Sequence, residues 1–401
     1  MSEKSQKGSV WEVFWIFLRL GLTSFGGPVA HLAYFREAFV QRRKWLTEKA
    51  YADLVALCQF LPGPASSQVG MALGLQRAGW GGLFAAWFAF TMPSVILLVA
   101  FAYGVATAGD LADAGWIHGL KAAAVAVVAH AVLGMAKSMT PDAPRATIAA
   151  MAAIIVLLVP EPLILVAAIA VSGVIGLIWL KPESQEQDPA DAYPVRIPKA
   201  VAFGCIAAFF ALLAGLPLLA TLVNTEATSL ADTFYRSGAL VFGGGHVVLP
   251  LLEAETVQTG MVDSNAFLAG YGAAQAVPGP LFTFSGFLGA AAFEGPMGLV
   301  AAGIAILAIF LPGALLVIGC ISFWEQLRSN FTARKALLGF NAGVVGILAA
   351  AFYDPVFTAG VIDVGIEALA VAIACFIALV HWKVPAWAVV IGAGLLGAVI
   401  L

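Results

Sequence analysis

Two proline-glycine-proline tripeptides, each followed by a hydroxyl side chain, carry the chemistry that this sequence suggests. Pro62-Gly63-Pro64 and Pro278-Gly279-Pro280 both interrupt apolar sequence. Proline removes a backbone donor and clashes with the preceding turn, so neither tripeptide can continue a helix. Ser67 and Thr283 occupy matched positions in the first turn after the two breaks. A hydroxyl beside the unpaired amides of a new helix start is a donor set suited to an anion.

Three cationic side chains fall inside apolar sequence. Arg19 and Arg236 occupy matched positions before two Gly-Gly pairs, and Lys121 lies in the middle of an apolar segment. A cation at the centre of a membrane helix costs roughly 2.5–3.5 kcal/mol on insertion scales, and a doubly charged anion would offset that cost. Two structural alternatives stay open. The arginines could extend to a membrane interface, and Lys121 could pair with a buried acid such as Asp53.

The composition is that of an integral membrane protein made mainly of helices. Of the 401 residues, 61% are hydrophobic and only 11% are charged, and the mean hydropathy is +0.96. Soluble proteins are about half apolar and about a quarter charged. Apolar runs such as 83–105 and 299–321 reach the length of a bilayer crossing. We expect the chain to lie in the lipid bilayer and to have no nucleic-acid partner. We expect no cleavable signal peptide after the polar residues 1–9.

Breaks of this kind are costly inside a bilayer, which gives them a functional interpretation. Unpaired peptide groups cost several kcal/mol each in hydrocarbon unless they line a cavity. The stretches 25–28 and 242–245 are glycine-rich breaks as well, so four positively polarised helix starts could meet near the midplane. The predicted anion site comprises Arg19, Phe25, Gly26, Gly27, Pro62, Gly63, Pro64, Ala65, Ser66, Ser67, Lys121, Arg236, Gly243, Gly244, Gly245, His246, Pro278, Gly279, Pro280 and Thr283.

The segments around the first two breaks are too short to cross a bilayer alone. Residues 10–24 and 29–40 flank the Gly-Gly break, and residues 48–60 and 65–77 flank the first Pro-Gly-Pro. Arms of this length reach only about 18–22 Å, whereas a hydrocarbon core is about 30 Å thick. The sequence therefore predicts two re-entrant hairpins, with Thr47 as the N-cap of the helix over 48–60.

The second half of the chain repeats the first. Residues 17–27 match 234–244 without a gap, Thr47 matches Asp263, and Pro93 matches Pro312. We predict a first repeat over residues 1–180, a polar linker over 181–199, a connecting transmembrane helix over 200–222 and a second repeat over 223–401. Outside the hairpins this leaves about nine full crossings.

The loop charges of the two halves have opposite signs. The first hairpin loops carry lysine and arginine, whereas the matching loops of the second half carry Glu253, Glu255, Asp263 and Glu294. The positive-inside rule then places the first loops in the cytoplasm and the second outside. The predicted fold is an all-α polytopic membrane protein with two inverted-topology repeats, a cytoplasmic N-terminus and a periplasmic C-terminus.

The remaining polar residues receive plainer interpretations. His31, His118, His130 and His246 are expected to pack or to lie at interfaces rather than to act as ligands. The four cysteines are isolated in apolar sequence, and we interpret them as small core residues. Their spacing is not that of metal ligands, so we expect no metal and no cofactor.

An inverted repeat whose discontinuous helices meet near the midplane is the architecture of secondary transporters. The energy for such transport must come from a gradient, because the sequence contains no phosphate-binding P-loop motif. Protons, or exchange for another anion, could supply it. The candidate proton carriers are Glu48, Asp53 and Glu253, with Glu12 and Glu255 as further acids. The sequence does not choose among them.

The motifs in combination resemble the chromate ion transporter family, in its long, two-domain form. Phe25-Gly26-Gly27-Pro28 follows an arginine-containing segment, Pro-Gly-Pro follows Gln59 and again Gln275, and both motifs return in the second half. The resemblance covers nearly the whole chain. It implies efflux of chromate across the bacterial inner membrane, with sulfate as the structural analogue. The second half departs from the pattern, because Gly245 replaces Pro28 and 282–284 replace Ser66-Ser67-Gln68.

Other functions remain open to the sequence. The same cage could carry sulfate or molybdate, or the chain could be a passive anion channel, since re-entrant half-helices also build channels. A membrane enzyme is disfavoured because no metal cluster, nucleophile motif or paired carboxylate stands out. A homodimer is compatible with the sequence.

Overall fold

The computed structural model describes residues 8–107, 114–159, 161–181, 197–242 and 245–401. Within these ranges the chain is helical and contains no strand, which confirms the all-α fold. Gly243, Gly244 and most of the predicted linker lie outside the described residues, and so do the side chains of Val29 and His246.

Seventeen α-helices follow one another in the described chain, joined in places by short π- or 3₁₀-helical turns. They are α1 (Val10–Thr23), α2 (Gly27–Phe35), α3 (Glu48–Phe60), α4 (Ala65–Thr107), α5 (Gly115–Met139), α6 (Ala143–Leu158), α7 (Pro162–Trp179), α8 (Lys199–Val223), α9 (Glu226–Ala239), α10 (Val248–Thr256), α11 (Ser264–Ala276), α12 (Phe284–Ala292), α13 (Pro296–Ile321), α14 (Trp324–Ser329), α15 (Phe331–Ala351), α16 (Ile366–Val380) and α17 (Ala386–Ile400).

Matched N-caps begin the matched helices α3 and α11. The Thr47 hydroxyl accepts from the Ala50 amide at 3.2 Å, and the Asp263 carboxylate accepts from the Asn265 amide at 2.8 Å. Each cap satisfies an amide that has no partner within its helix. The prediction of a helix over 48–60 capped by Thr47 is confirmed.

The hairpins of the first half enter and leave at one end. The Gln76 amide, near the end of the first arm of α4, donates to the carbonyl of Trp45 at 3.2 Å, just before α3 begins. Arg77 forms an ion pair with Glu12 of α1 at 2.9 Å, and its carbonyl accepts from the Gly8 amide. The first and last residues of both hairpins therefore lie at the same end, as a re-entrant geometry requires.

Helix α4 contains the turn at which the second arm of the second hairpin ends. Ala78 and Gly79 leave helical geometry, and Gly79 has φ +64°, a conformation that favours glycine. The arm beyond this turn runs away from the open end of the first hairpins for about 35 Å up to Tyr103. There the Tyr103 hydroxyl donates to the carbonyl of Gly295, where the last hairpin of the second half ends. The two pairs of hairpins thus open at opposite ends, which is an inverted topology.

The remaining helices of the two halves interlock. Helix α5 of the first half packs between α16 and α17 of the second, and α15 of the second packs between α6 and α7 of the first. Glycines permit the close approach at matched sites: a Cβ on Gly119 would overlap the Ala393 carbonyl, and one on Gly339 would overlap that of Ser172. Small residues at such crossings are what association in lipid needs, because backbones can then approach closely.

The chain is a multi-pass membrane protein by the length and composition of its helices. Five described stretches are long and apolar enough to cross a bilayer: Ala65–Ala106, Gly115–Met139, Lys199–Val223, Pro296–Ile321 and Phe331–Ile362. Shorter apolar helices, among them α6, α7, α16 and α17, lie beside them. Only 6% of the apolar window of α8 is fully buried, and this helix packs against α9 and α13 through residues such as Ala202 and Phe209, so it lies at the periphery of the bundle.

Candidate functional site: the junction of the four breaks

Both Pro-Gly-Pro breaks use the backbone freedom of their central glycine. Gly63 has φ +113° and Gly279 has φ +102°. Residues with a Cβ are strained there, so glycine lets the chain turn between two prolines. The sequence repeats not only the tripeptide but also its backbone geometry.

Each Pro-Gly-Pro break donates a backbone hydrogen bond to the Gly-Gly break of the opposite half. The Gly63 amide donates to the Val241 carbonyl at 2.7 Å, and the Gly279 amide donates to the Ser24 carbonyl at 3.0 Å. Ser24 and Val241 are matched positions immediately before the two Gly-Gly motifs. The two bonds are therefore counterparts across the repeat, and they tie the halves together at their breaks.

A proline-containing helix of the opposite half also supports each Pro-Gly-Pro. The Gln68 amide nitrogen donates to the carbonyls of Pro62 at 3.0 Å and Gly313 of α13 at 3.2 Å. In the counterpart, the Ser94 hydroxyl of α4 donates to the Pro278 carbonyl. Gly313 directly follows Pro312 inside α13, and Ser94 directly follows Pro93 inside α4. The irregular backbone is thus satisfied by protein, as the membrane interior demands.

The two glycine-rich breaks meet as well. A Cβ on Gly245 would lie 3.0 Å from Pro28 Cγ and 3.9 Å from Leu281 Cβ, which belong to the first Gly-Gly break and the second Pro-Gly-Pro break. All four breaks therefore come together in one place. We call this meeting point the break junction, meaning Ser24–Pro28, Leu61–Ser67, Val241 with Gly245, and Val277–Thr283.

The first half supplies most of the polar side chains of the break junction. Ser24, Ser66 and Ser67 are each at most 2% exposed. The hydroxyls of Ser24 and Ser67 and the Oε1 atom of Gln68 are buried with no hydrogen-bond partner among the described residues. Buried polar atoms normally have partners, so these three atoms are unsatisfied within the described chain.

The second half is less polar at the matched positions. Val241 and Phe282 stand where the first half has Ser24 and Ser66. Thr283, the counterpart of Ser67, donates its hydroxyl to the Pro280 carbonyl at 2.7 Å. The two sides of the break junction are alike in backbone and different in side-chain chemistry.

The sequence predicts that His31 packs or lies at an interface, and the structure gives it hydrogen bonds within the break junction. It is fully buried, with Nε2 3.2 Å from the Ser24 carbonyl and Nδ1 3.4 Å from the Ser66 hydroxyl. Sequence reasoning missed this residue because a single histidine in an apolar segment carries no partner signal. Its position in the second turn after the Gly-Gly break was the only available clue.

The predicted cations lie apart from the break junction. Arg236 of α9 forms ion pairs with Asp232 at 2.9 Å and Glu255 at 3.0 Å. The Asp232–Arg236 spacing of four residues was the sequence signal for this pairing. Lys121 is 3% exposed, and its Nζ donates to Asn265 at 2.8 Å. Asn265 is in the first turn of α11, about 18 Å along the helix from the Pro278 break.

Arg19 lies on the exposed outer face of α1, in a depression shared with Glu37, Arg42 and Arg43. Burial, and then the positive charges of Arg19 and Arg42, lower the pKa of the Arg43 guanidinium. All three arginines line the same depression. They form a basic patch near the open end of the first hairpins, which we call the basic entrance.

The predicted proton carriers differ in environment. Glu48 is exposed and paired with Arg36, and Asp53 is half-buried. Glu253 is 8% exposed, accepts from Gln258 at 3.1 Å and lines a cavity together with Glu161 and Asp354. Glu253 is thus the buried member of the three.

Comparison with known proteins gives a consistent result over most of the chain. A family model described as chromate transporter matches residues 11–177 and again 228–398. The chain is 27% identical over 406 aligned positions to a chromate transport protein of Pseudomonas aeruginosa, covering 96% of this chain and 91% of that protein. It is 26% identical to a chromate transport protein of Cupriavidus metallidurans, with the same coverage of both chains. An uncharacterised transporter of Methanocaldococcus jannaschii is also 26% identical, over 94% of this chain and 91% of the other. No solved structure matches the chain significantly.

Proposed function

Because the chain belongs to the chromate transporter family, we propose that it exports chromate from the cytoplasm as a secondary transporter and binds the anion at the break junction. The observation that carries the binding site is the convergence of four helix breaks around buried, unpartnered hydroxyls. Chromate is a tetrahedral dianion, so its four oxygens can accept several hydrogen bonds at once.

The donors come chiefly from the start of α4. The amides of Ala65, Ser66 and Ser67 have no partner within their helix, because the first intrahelical bond of this arm runs from the Gln68 amide to the Pro64 carbonyl at 3.0 Å. They carry the partial positive charge of a helix N-terminus. The unpartnered Ser67 hydroxyl lies in the same turn. The matched turn of the second half offers fewer free donors, so we assign the larger share of binding to the first half.

The predicted cations receive different roles in this proposal. Arg19 belongs to the basic entrance, where positive charge raises the local concentration of anions before they reach the break junction. Arg236 and Lys121 hold helices of the second half in place through their polar partners. Glu253 stays a proposed proton carrier because it is buried beside a cavity with two further acids.

The membrane potential sets the direction of export. A cell interior negative by 100 mV drives each negative charge outward with about 2.3 kcal/mol, so a dianion leaves downhill unless its concentration outside is far higher. Basic loops on the first half put the basic entrance on the cytoplasmic side. Anions would therefore be collected inside and released outside.

Uptake of radiolabelled chromate into inside-out proteoliposomes tests the proposal. Ser67→Ala should raise KM about tenfold or more, because a hydrogen bond to a charged group contributes about 1.5–3 kcal/mol. Ser138→Ala is the matched control, since that hydroxyl is exposed on α5 and bonds only within its own helix. An unchanged KM in Ser67→Ala would argue against the break junction as the site.

Competing anions and conductance distinguish the alternatives. Sulfate has the same shape and charge as chromate, so we expect it to compete for the donors of the break junction. If sulfate or molybdate were carried faster than chromate, the substrate assignment would change. A current that does not saturate with anion concentration would indicate a channel instead of a transporter.

A further inference from the structure

His31 connects three of the four breaks. Its Nε2 is bonded to the carbonyl of Ser24, which lies at the first Gly-Gly break, and its Nδ1 faces Ser66 at the first Pro-Gly-Pro break. The same Ser24 carbonyl accepts the Gly279 amide of the second Pro-Gly-Pro break. One imidazole therefore lies where these backbones meet.

The bonding pattern defines the tautomer of the neutral imidazole. A carbonyl oxygen can only accept, so Nε2 carries the hydrogen and donates it to Ser24. Nδ1 then has a lone pair and accepts from the Ser66 hydroxyl. In this state the hydrogen of Ser66 points toward His31, and only the oxygen lone pairs are left for a guest.

No counterpart of this arrangement exists at the matched positions of the second half. Val248 matches His31, Val241 matches Ser24 and Phe282 matches Ser66. All three replacements are apolar and buried. The backbone of the break junction is symmetric, but the titratable group is on one side.

The ionisable groups on the neighbouring elements are directed elsewhere. Glu12 of α1 and Arg77 of α4 pair with each other at the open end of the hairpins, and Arg19 is on the outer face. Arg36, beyond α2, pairs with Glu48, and the Tyr51 hydroxyl of α3 donates to the Leu32 carbonyl at 2.6 Å. The ring of Phe90 covers His31 edge-on, with centroids 5.2 Å apart.

We propose that His31 links anion binding to the uptake of one proton, an inference that rests on the break junction being the anion site. A proton from solution binds Nδ1, and the resulting imidazolium donates to the Ser66 oxygen. The Ser66 hydrogen is thereby released from His31 and turns toward the anion. The neutral histidine leaves the anion facing oxygen lone pairs, whereas the protonated one gives it a donor and a positive charge.

The linkage changes the charge that is carried. A dianion accompanied by one proton moves a net charge of −1, so an interior-negative membrane potential still drives it outward. An opposing pH gradient would slow export, because each anion takes a proton with it. The number of protons taken up per anion is therefore measurable, and one of them is assigned to His31.

Calorimetric titration of the purified protein with sulfate, and separately with chromate, measures the proton directly. Comparing two buffers of different ionisation enthalpy at one pH should give about one proton taken up per anion in the wild type, and raising the pH by one unit should weaken binding up to tenfold. His31→Gln should bind with no proton uptake and with little pH dependence. His130→Gln, at an exposed position of α5, is the matched control and should behave as wild type.

A second variant separates this inference from loss of folding and from the proposed function. If His31→Gln is not monodisperse, Ser66→Ala keeps the imidazole and should bind several-fold more weakly with a reduced pH dependence. Binding without proton uptake in the wild type would overturn the role of His31 and leave the site intact. Loss of the site itself would show differently, as binding that Ser67→Ala does not weaken.

Discussion

Arg236 lies within 3.0 Å of two acids, Asp232 and Glu255, while its matched counterpart Arg19 is exposed on the outer face of α1. The difference follows from the neighbours. Trp15 and Ala38 stand in the first half where the second half has the two acids. The arginine at this matched position is therefore part of a structural ion pair in one half and part of the exposed basic entrance in the other.

Arg236→Ala should reduce the amount of folded protein. Removing one partner of a buried ion pair costs about 3–5 kcal/mol, because the remaining carboxylates keep their desolvation penalty. Thermal unfolding followed by size-exclusion chromatography in detergent measures the effect. Adding Asp232→Asn and Glu255→Gln to Arg236→Ala should recover most of the stability, and failure to recover any would contradict the ion-pair role.

Arg19→Ala should leave folding unchanged and weaken transport at low substrate concentration. The basic entrance acts over a distance, so its contribution depends on salt. We expect KM to rise several-fold in low salt and the difference from wild type to shrink in high salt. Arg145→Ala, which removes a partly buried arginine paired with Asp142, is the control. A loss of maximal rate with KM unchanged would point to a role other than collecting anions.

At the scale of the elements, the breaks and the helices that support them form one unit. Each Pro-Gly-Pro requires a glycine with positive φ, a carbonyl from the opposite Gly-Gly break and a polar or small residue on the opposite proline-containing helix. A change in any of the three would disturb the others, because the backbone bonds connect them.

Gly63→Ala and Gly279→Ala test that requirement. Each substitution forces a side chain into a conformation that costs of order 1–3 kcal/mol. The alanine at 63 would also lie 3.2 Å from Gly313 Cα, and the one at 279 would overlap Ser94. We expect lower melting temperatures and strongly reduced chromate uptake. Gly303→Ala, where a Cβ would meet nothing within 4 Å, should match the wild type.

The sequence predicted the features that neighbouring residues determine. Thr47 and Asp263 as N-caps, the end of α3 at Phe60 and the breaks themselves depend on residues within one or two turns. The bond from Gly63 to Val241 could not be predicted, because its partner comes from the other half of the chain. His31 was missed for the same reason: its meaning depends on Ser66 and Ser24 being brought to it by the fold.

The whole molecule has two hairpin pairs that open at opposite ends and a bundle in which the halves interlock. Tyr103 marks this inversion by reaching Gly295 at the far end of α4. Outside the hairpins, and besides the short α14, the described chain has nine helices, α4 beyond its turn, α5 to α8, α13 and α15 to α17, and five described stretches are long and apolar enough to cross a bilayer. The nine crossings expected from the sequence would place the two termini on opposite sides, which is the orientation we propose from the loop charges.

Cysteine labelling in cells tests that orientation. In a background without native cysteines, Lys44→Cys in the first hairpin loops should react only after the membrane is permeabilised. Thr259→Cys in the second hairpin loops is exposed as well and should react with an impermeant maleimide in intact cells. Equal labelling of both positions from one side would contradict the inverted orientation.

Because α5 is held between α16 and α17, the first half of the polypeptide leaves the ribosome before its final partners have been synthesised. Helices α5 to α7 must remain in the lipid with their glycine-lined packing surfaces uncovered until about the last hundred residues have been synthesised and inserted. Neither half alone then makes a finished product. Two fragments separated between α7 and α8 should be degraded when made singly and accumulate when made together, so this transporter is assembled only when its C-terminus has been inserted.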